Sequence, residues 1–281
     1  MKIVIKFAGA LLEEAETVKS LAAQVAALAK QGHQILVVHG GGRVFTATLK
    51  RMGIESRFVA GLRVTDRGTR DVAVMVFAGL LNKQLSAAIS AAGQPAIGVS
   101  AADAACFRAE PLVHNDTEGS LGYVGYLTGA NADLLASLWS AGLLPVAACL
   151  GLGPDGELYN INADHMAAAC AEYLQADQLI YLTDVHGVLE GERILSAVAC
   201  DEIERLVETK IVSGGMVLKL EAARRALDGG VGGVHIVGGA VPGGLLAALD
   251  LTAAGSFSGA PGTRVLREPL AASIPTAISA A

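Results

Sequence analysis

The chain has 281 residues, enough for one large α/β domain or two lobes, and a formal net charge of −6. It is rich in Ala, Gly, Val and Leu and poor in aromatics, which suits tightly packed helices on a buried sheet. The acidic balance argues against a nucleic-acid surface, and any bound anion must be held by local donors rather than drawn in by the overall field. Residues 3–7 read as a strand and 18–30 as a helix of apolar period near 3.6. The run QILVVHGGG is a strand leading straight into Gly40, Gly41 and Gly42, and a short helix follows at 44–52. A long helix over 70–92 ends at Gly93 and Pro95. Then come a strand at 96–100, Gly-rich hairpins or a flap at 107–127, a helix at 131–141 and one buried strand at 143–151. A helix at 163–174, a strand at 178–184, helices at 201–209 and 216–228 and a strand at 233–239 complete the series, before a featureless, frayed tail.

Strands and helices alternating at these lengths predict an α/β fold with a mainly parallel central sheet covered on both faces. In such sheets ligands sit beyond the carboxyl ends of strands, and glycines follow several of these strands. A lobe boundary is expected near Ala176, dividing 1–175 from 176–281. Cys106, Cys149, Cys170 and Cys200 lie far apart, without metal or redox spacing, and read as reduced core residues. The opening MKIVIKF lacks the order of a signal peptide. No apolar run reaches membrane-spanning length without a Gly, a Pro or a charge. A cytoplasmic chain with no membrane partner is expected.

Several short motifs are candidates for chemistry. In VIKFAG, Lys6 ends the first strand and Gly9 follows; the lysine is either exposed or aimed at a ligand beyond the sheet edge. In VVHGGG, successive glycines let the backbone approach a ligand and aim N–H groups at an anion, although neither dinucleotide nor P-loop spacing is present. His39 reads as structural. In GLRVTD, Arg63 is either a surface arginine or a bidentate partner for a carboxylate. In YNINADHM, Asn160, Asn162 and Asp164 exceed what a single helix cap requires. In YLTDVHGVL, the strand-end residues Thr183, Asp184 and Gly187 form either a plain turn or a nucleotide loop. VSGGMVLKL puts Ser213, Gly214 and Gly215 before Lys219, as either a loop and a solvent-facing lysine or a phosphate site.

Taken in order, KFAG, HGGG, GLRVTD, LGYVG, NINAD, LTDVHG and SGGM-x-x-KL resemble the amino acid kinase family over almost the whole chain, up to GTRVL near residue 266. The resemblance implies a three-layer αβα sandwich, with an amino-acid lobe first and a nucleotide lobe second. It implies that ATP phosphorylates the side-chain carboxylate of N-acetyl-L-glutamate. By that similarity Gly41 and Gly42 hold substrate, Arg63 grips its α-carboxylate and Asn160 binds its other end. Lys6 and Lys219 flank the moving phosphoryl group and Asp164 holds both lysines. Gly9, Thr183, Asp184, Gly187, Ser213, Gly214 and Gly215 line the ATP site, with Mg²⁺ carried by ATP and no metal ligand from the protein. A sister kinase for another acylated or carrier-bound glutamate or aminoadipate, and a non-catalytic sensor of the same fold, are the alternatives. The first strand starts at once, without the helix that builds hexamers in arginine-inhibited relatives, so a homodimer without arginine feedback is expected. Two departures stand out: Ala8 replaces a usual glycine, and residues 100–106 read SAADAAC where the family is Gly-rich.

Overall fold

The computed structural model describes residues 1–59, 61–113, 121–254 and 262–268. The first half runs β1 (Lys2–Phe7), α1 (Ala15–Lys30), β2 (Gln34–His39), α2 (Gly42–Arg51), β3 (Phe58–Val59), β4 (Leu62–Arg63) and α3 (Arg67–Ala73). A π-helical stretch, Val74–Leu81, joins α3 without a break to α4 (Asn82–Ala91). Next come β5 (Ala96–Val99), β6 (Phe107–Pro111), β7 (Val124–Ala130), α5 (Ala132–Ser140), β8 (Leu144–Ala148), β9 (Leu150–Leu152), β10 (Leu158–Ile161) and α6 (Ala163–Tyr173). The rest is β11 (Gln178–Thr183), β12 (Leu189–Glu190), β13 (Arg193–Ile194), β14 (Ala197–Ala199), α7 (Ile203–Glu208), α8 (Gly215–Asp228), β15 (Val234–Gly238), α9 (Gly244–Ala254) and β16 (Thr263–Leu266).

The main sheet has eight strands in the order β14-β16-β15-β11-β1-β2-β8-β5. From β15 to β5 the strands are parallel; β16 pairs antiparallel with β15 and carries β14 with it. The chain steps from β1 to β2 on one side and later returns to place β11 on the other, so β1 sits where the direction of winding reverses. The sheet is continuous across residue 176. Successive strand side chains alternate between faces. Ile3, Ile5 and Phe7 pack with Leu21 and Val25 of α1, Leu85 and Ile89 of α4 and Leu245 of α9. Val4 faces the opposite way, into the core shared with α2, α3, α6 and α8. Three layers follow from that alternation, and Lys6, two residues beyond Val4, is directed to the α6 and α8 side.

Several expectations need correction. The run 143–151 is two strands, not one. Leu144–Ala148 belongs to the main sheet, whereas Leu150–Leu152 turns at Cys149 into a small closed barrel with β6, β7 and β10. Asn160 lies in β10, three residues before α6, and the strand itself was not anticipated. The hairpin expected at 107–127 is β6 against β7, with residues 114–120 outside the described set, as is the tail beyond 268. Helix α9 was not anticipated. The helix Arg67–Ala91 is long and apolar enough to cross a membrane by length and composition, though half of its most apolar window is buried inside the protein. Cys106, Cys149 and Cys170 are buried free thiols and Cys200 is half-buried.

Both departures from the family pattern are explained locally. Ala8 adopts φ −66°, an ordinary extended conformation, so its methyl group is not strained. Its N–H is taken by the Leu182 carbonyl at 2.9 Å. Ala104 and Ala105, by contrast, have φ of 52° and 49°. That left-handed conformation costs a non-glycine residue roughly 1–2 kcal/mol. The turn is held by Asp103, which accepts from the Ser100 N–H at 2.6 Å and its hydroxyl at 2.9 Å. Glycine relieves this strain but is more flexible when unfolded. Ala104→Gly is expected to stabilise the chain by about 1 kcal/mol in urea unfolding; a lower midpoint would contradict the strain assignment.

Candidate functional site

The carboxyl ends of β1, β2 and β11 share one edge of the sheet, and the side chains that matter gather there. Asn162 caps α6, its Oδ1 accepting from the N–H groups of Asp164 (2.9 Å) and His165 (3.1 Å). The cap fixes the first turn of α6 and points Asp164 at the end of β1. Asp164 Oδ1 then accepts from Lys6 Nζ at 2.7 Å and from Lys219 Nζ at 2.8 Å. Lys219 stands in the second turn of α8; both lysines are buried, and the Asp164 side chain is 13% exposed. Tyr181 completes the group: it pairs in register with Lys6, its hydroxyl donates to the Asp164 carbonyl at 3.1 Å, and its ring centroid lies 4.9 Å from Lys219 Nζ.

Burial alone would raise the Asp164 pKa, but the charges of Lys6 and Lys219 prevail and hold it at about 2. Burial, followed by repulsion from Lys6, lowers Lys219 to about 8, against the pull of Asp164. The trio therefore carries two cations and one anion at neutral pH, a surplus positive charge inside the protein.

A cavity of about 250 Å³ opens beside the trio, lined among others by Lys6, Gly9, Gly41, Arg63, Asn160 and Asp164. Gly42 lines it too, as the first residue of α2. A Cβ on Gly41 would lie 2.1 Å from Leu81 Cδ1, and one on Gly9 would lie 2.9 Å from Gly41 Cα. The loops after β1 and β2 are thus pressed against each other and against the π-helical stretch, with no room for a side chain at either glycine. Arg63 reaches the cavity from β4. Its guanidinium donates to Thr46 at 2.7 Å and to Ser56, and its central carbon lies 4.7 Å from the Phe45 ring centroid and 4.5 Å from that of Phe58. Burial lowers its pKa, but a guanidinium stays charged. It has no ion pair among the described residues. His39 is buried and neutral, pushed down to about 4 by desolvation. Its Nδ1 lies 3.0 Å from the Gly40 carbonyl and its Nε2 is 3.2 Å from Asn82 Nδ2, which supports the structural reading.

The remaining sequence candidates are not among the residues lining this cavity. Thr183 ends β11, and Asp184 beside it is exposed, with Arg43 at 3.7 Å. Gly187 packs so closely on Thr263 that a Cβ would lie 2.7 Å from its hydroxyl. Ser213, Gly214 and Gly215 are exposed at the N-terminus of α8, and Gly214 adopts φ 55° and ψ −132°, which favours glycine. Sequence reasoning missed Tyr181 and the pair Phe45 and Phe58. No spacing rule announces them, because they come from different segments; strand pairing alone puts Tyr181 beside Lys6.

The family model for the amino acid kinase family matches residues 1–238. The chain belongs to that family. It is 52% identical over 240 residues to an acetylglutamate kinase of Koribacter versatilis, covering 84% of this chain and 90% of that protein. An acetylglutamate kinase of Acidobacterium capsulatum is 46% identical over 238 residues, with the same coverages. Among solved structures, an N-acetylglutamate synthase from Neisseria gonorrhoeae, complexed with coenzyme A and N-acetyl-glutamate, matches with a TM-score of 0.82 at 26% identity. That match covers 96% of this chain, which spans 60% of the synthase's length.

Asp164→Asn removes the only negative charge of the trio and leaves two buried ammonium groups facing each other. It is expected to lower folding stability by about 3 kcal/mol in denaturant titration. A variant as stable as the parent would show that the trio is hydrated rather than buried.

Proposed function

We propose that the chain transfers the terminal phosphoryl group of ATP to the side-chain carboxylate of N-acetyl-L-glutamate, giving N-acetyl-L-glutamyl 5-phosphate, as a step of arginine biosynthesis. The observation that carries this reading is the pair of lysines on one carboxylate oxygen, beside a cavity that also holds Arg63, which has no ion pair among the described residues. The identity to proteins named acetylglutamate kinase supports the choice of substrate.

In this reading Arg63 grips the α-carboxylate, Asn160 takes the acylamino end, and Gly41 and Gly42 line the path of the side chain. A glutamate side chain has a pKa of about 4.3 and is already ionised, so no general base is needed. One carboxylate oxygen attacks the γ-phosphorus, the bond from phosphorus to the bridging oxygen breaks, and ADP departs with that electron pair. No proton moves. The difficulty is electrostatic, because an anion must approach a polyanion; Lys6 and Lys219 offset that repulsion and stabilise the charge on the moving group. Asp164 keeps both ammonium groups aimed and cannot serve as a metal ligand through Oδ1, which already accepts two bonds. Mg²⁺ belongs to the nucleotide and offsets phosphate charge. Gly9, Thr183, Asp184, Gly187, Ser213, Gly214 and Gly215 line the nucleotide site, so that, Gly9 apart, residues 1–175 serve the acylated amino acid and 176–281 serve ATP. A cytoplasmic homodimer fits this role; Met75 and Leu80, exposed on the π-helical stretch, offer it an apolar surface.

Hydroxylamine trapping tests the reaction: N-acetyl-L-glutamate with ATP is expected to give hydroxamate, and a panel of other acylated or carrier-bound acids much less. ATP hydrolysis without hydroxamate from any of them would overturn the reading. Lys219→Ala is expected to lower turnover roughly a hundredfold with the fold intact; unchanged turnover would remove Lys219 from the mechanism. Because Lys219 must keep its proton, and its pKa in the free protein is lowered to about 8, kcat/KM for ATP is expected to fall as pH rises through that value. Lys219→Arg should abolish this limb; a flat profile up to pH 10 in the parent would contradict the assignment.

A further inference from the structure

We infer that Thr65 is a positioning residue whose hydroxyl fixes the polarity of the Asn160 amide, so that the amide oxygen, not the nitrogen, is offered to the ligand. Thr65 lies between β4 and α3 and is fully buried. Its Oγ1 is 2.8 Å from the Arg63 carbonyl oxygen and 3.2 Å from Asn160 Nδ2. A carbonyl oxygen can only accept, so the single hydroxyl proton goes to Arg63. Toward Asn160 the hydroxyl can then only accept, and Asn160 must turn its N–H to Thr65. That leaves Asn160 Oδ1, an acceptor, for the cavity.

The frame around this relay is tied by backbone bonds. The Thr65 N–H donates to the Leu121 carbonyl at 2.9 Å, the Tyr123 N–H to the Thr65 carbonyl at 2.7 Å, and the Asn160 N–H to the Tyr123 carbonyl at 2.8 Å. One buried hydroxyl thus connects Arg63, which suits a carboxylate, with Asn160, which suits an N–H donor. A free α-ammonium is also a donor, but Arg63 and the surplus charge of the lysine trio repel it. A secondary amide N–H beside a carboxylate, as in an N-acylated α-amino acid, satisfies both groups. The inference rests on the proposed reading of the cavity and names what selects the acylated nitrogen.

The test compares the parent, Thr65→Val and Thr65→Ser on N-acetylglutamate and on 2-acetoxyglutarate, the ester in which oxygen replaces the amide N–H. The readout is trapped acyl phosphate. The parent is expected to prefer the amide by about tenfold or more in kcat/KM. Thr65→Val should raise the KM for N-acetylglutamate about tenfold, leave the KM for ATP within about twofold, and bring the amide-to-ester preference close to unity, because Asn160 is then free to turn. Thr65→Ser should restore both values. A structural role alone would change thermal stability without changing the preference. An unchanged preference in Thr65→Val overturns the inference while leaving the reaction in place. Should that variant not fold, the parent decides: preference for the amide supports the inference and indifference overturns it. A parent that makes acyl phosphate from neither compound overturns the reading of the site and the inference together.

Discussion

Two ammonium groups share one carboxylate oxygen inside this protein, and the rest of the site depends on that imbalance. A buried charge is tolerated when it is paired, and Asp164 can pair fully with only one of its neighbours. The surplus appears in the lowered pKa of Lys219, which burial and Lys6 bring to about 8. An arriving polyanion restores the balance, and does so best when its charge is spread over a group in transit between two oxygens. In the proposed reaction this arrangement would favour the moving phosphoryl group over either resting state, which is what catalysis requires.

The fold supplies that arrangement from three distant parts of the chain. Parallel strands put the ends of β1 and β11 on one edge, the Asn162 cap sets the first turn of α6, and α8 returns 55 residues after Asp164 to bring Lys219 to the same oxygen. The second support is the π-helical stretch Val74–Leu81. Leu81 and Phe77 close on Gly41, and Asn82, the next residue, reaches His39. Such departures from α geometry recur at functional sites.

Much of this was legible in the sequence for physical reasons. Alternation of β-branched runs with Ala/Leu helices announced the sheet, and glycines after strands pointed to the edge where the cavity opens. The direction of Lys6 was legible only by parity with Val4, once the faces of β1 were known. The barrel was not legible: β9 and β10 are short, and a run such as LLPVAACLG has no break until Cys149 turns it. The segment SAADAAC stood out only as a whole; the left-handed backbone of Ala104 and Ala105 within it is seen in the structure alone. The clamp of Phe45 and Phe58 on Arg63, and the Thr65 relay, join segments whose proximity no local pattern reveals.

The most direct test of the shared-oxygen trio as a phosphoryl site is a crystal structure with ADP, magnesium, aluminium fluoride and N-acetyl-L-glutamate. The account predicts both Lys6 Nζ and Lys219 Nζ within about 3 Å of the fluoride ligands, with Asp164 still bonded to each. A planar fluoride complex bound more than about 6 Å from either nitrogen, beyond the reach of direct charge-assisted hydrogen bonds, would contradict it.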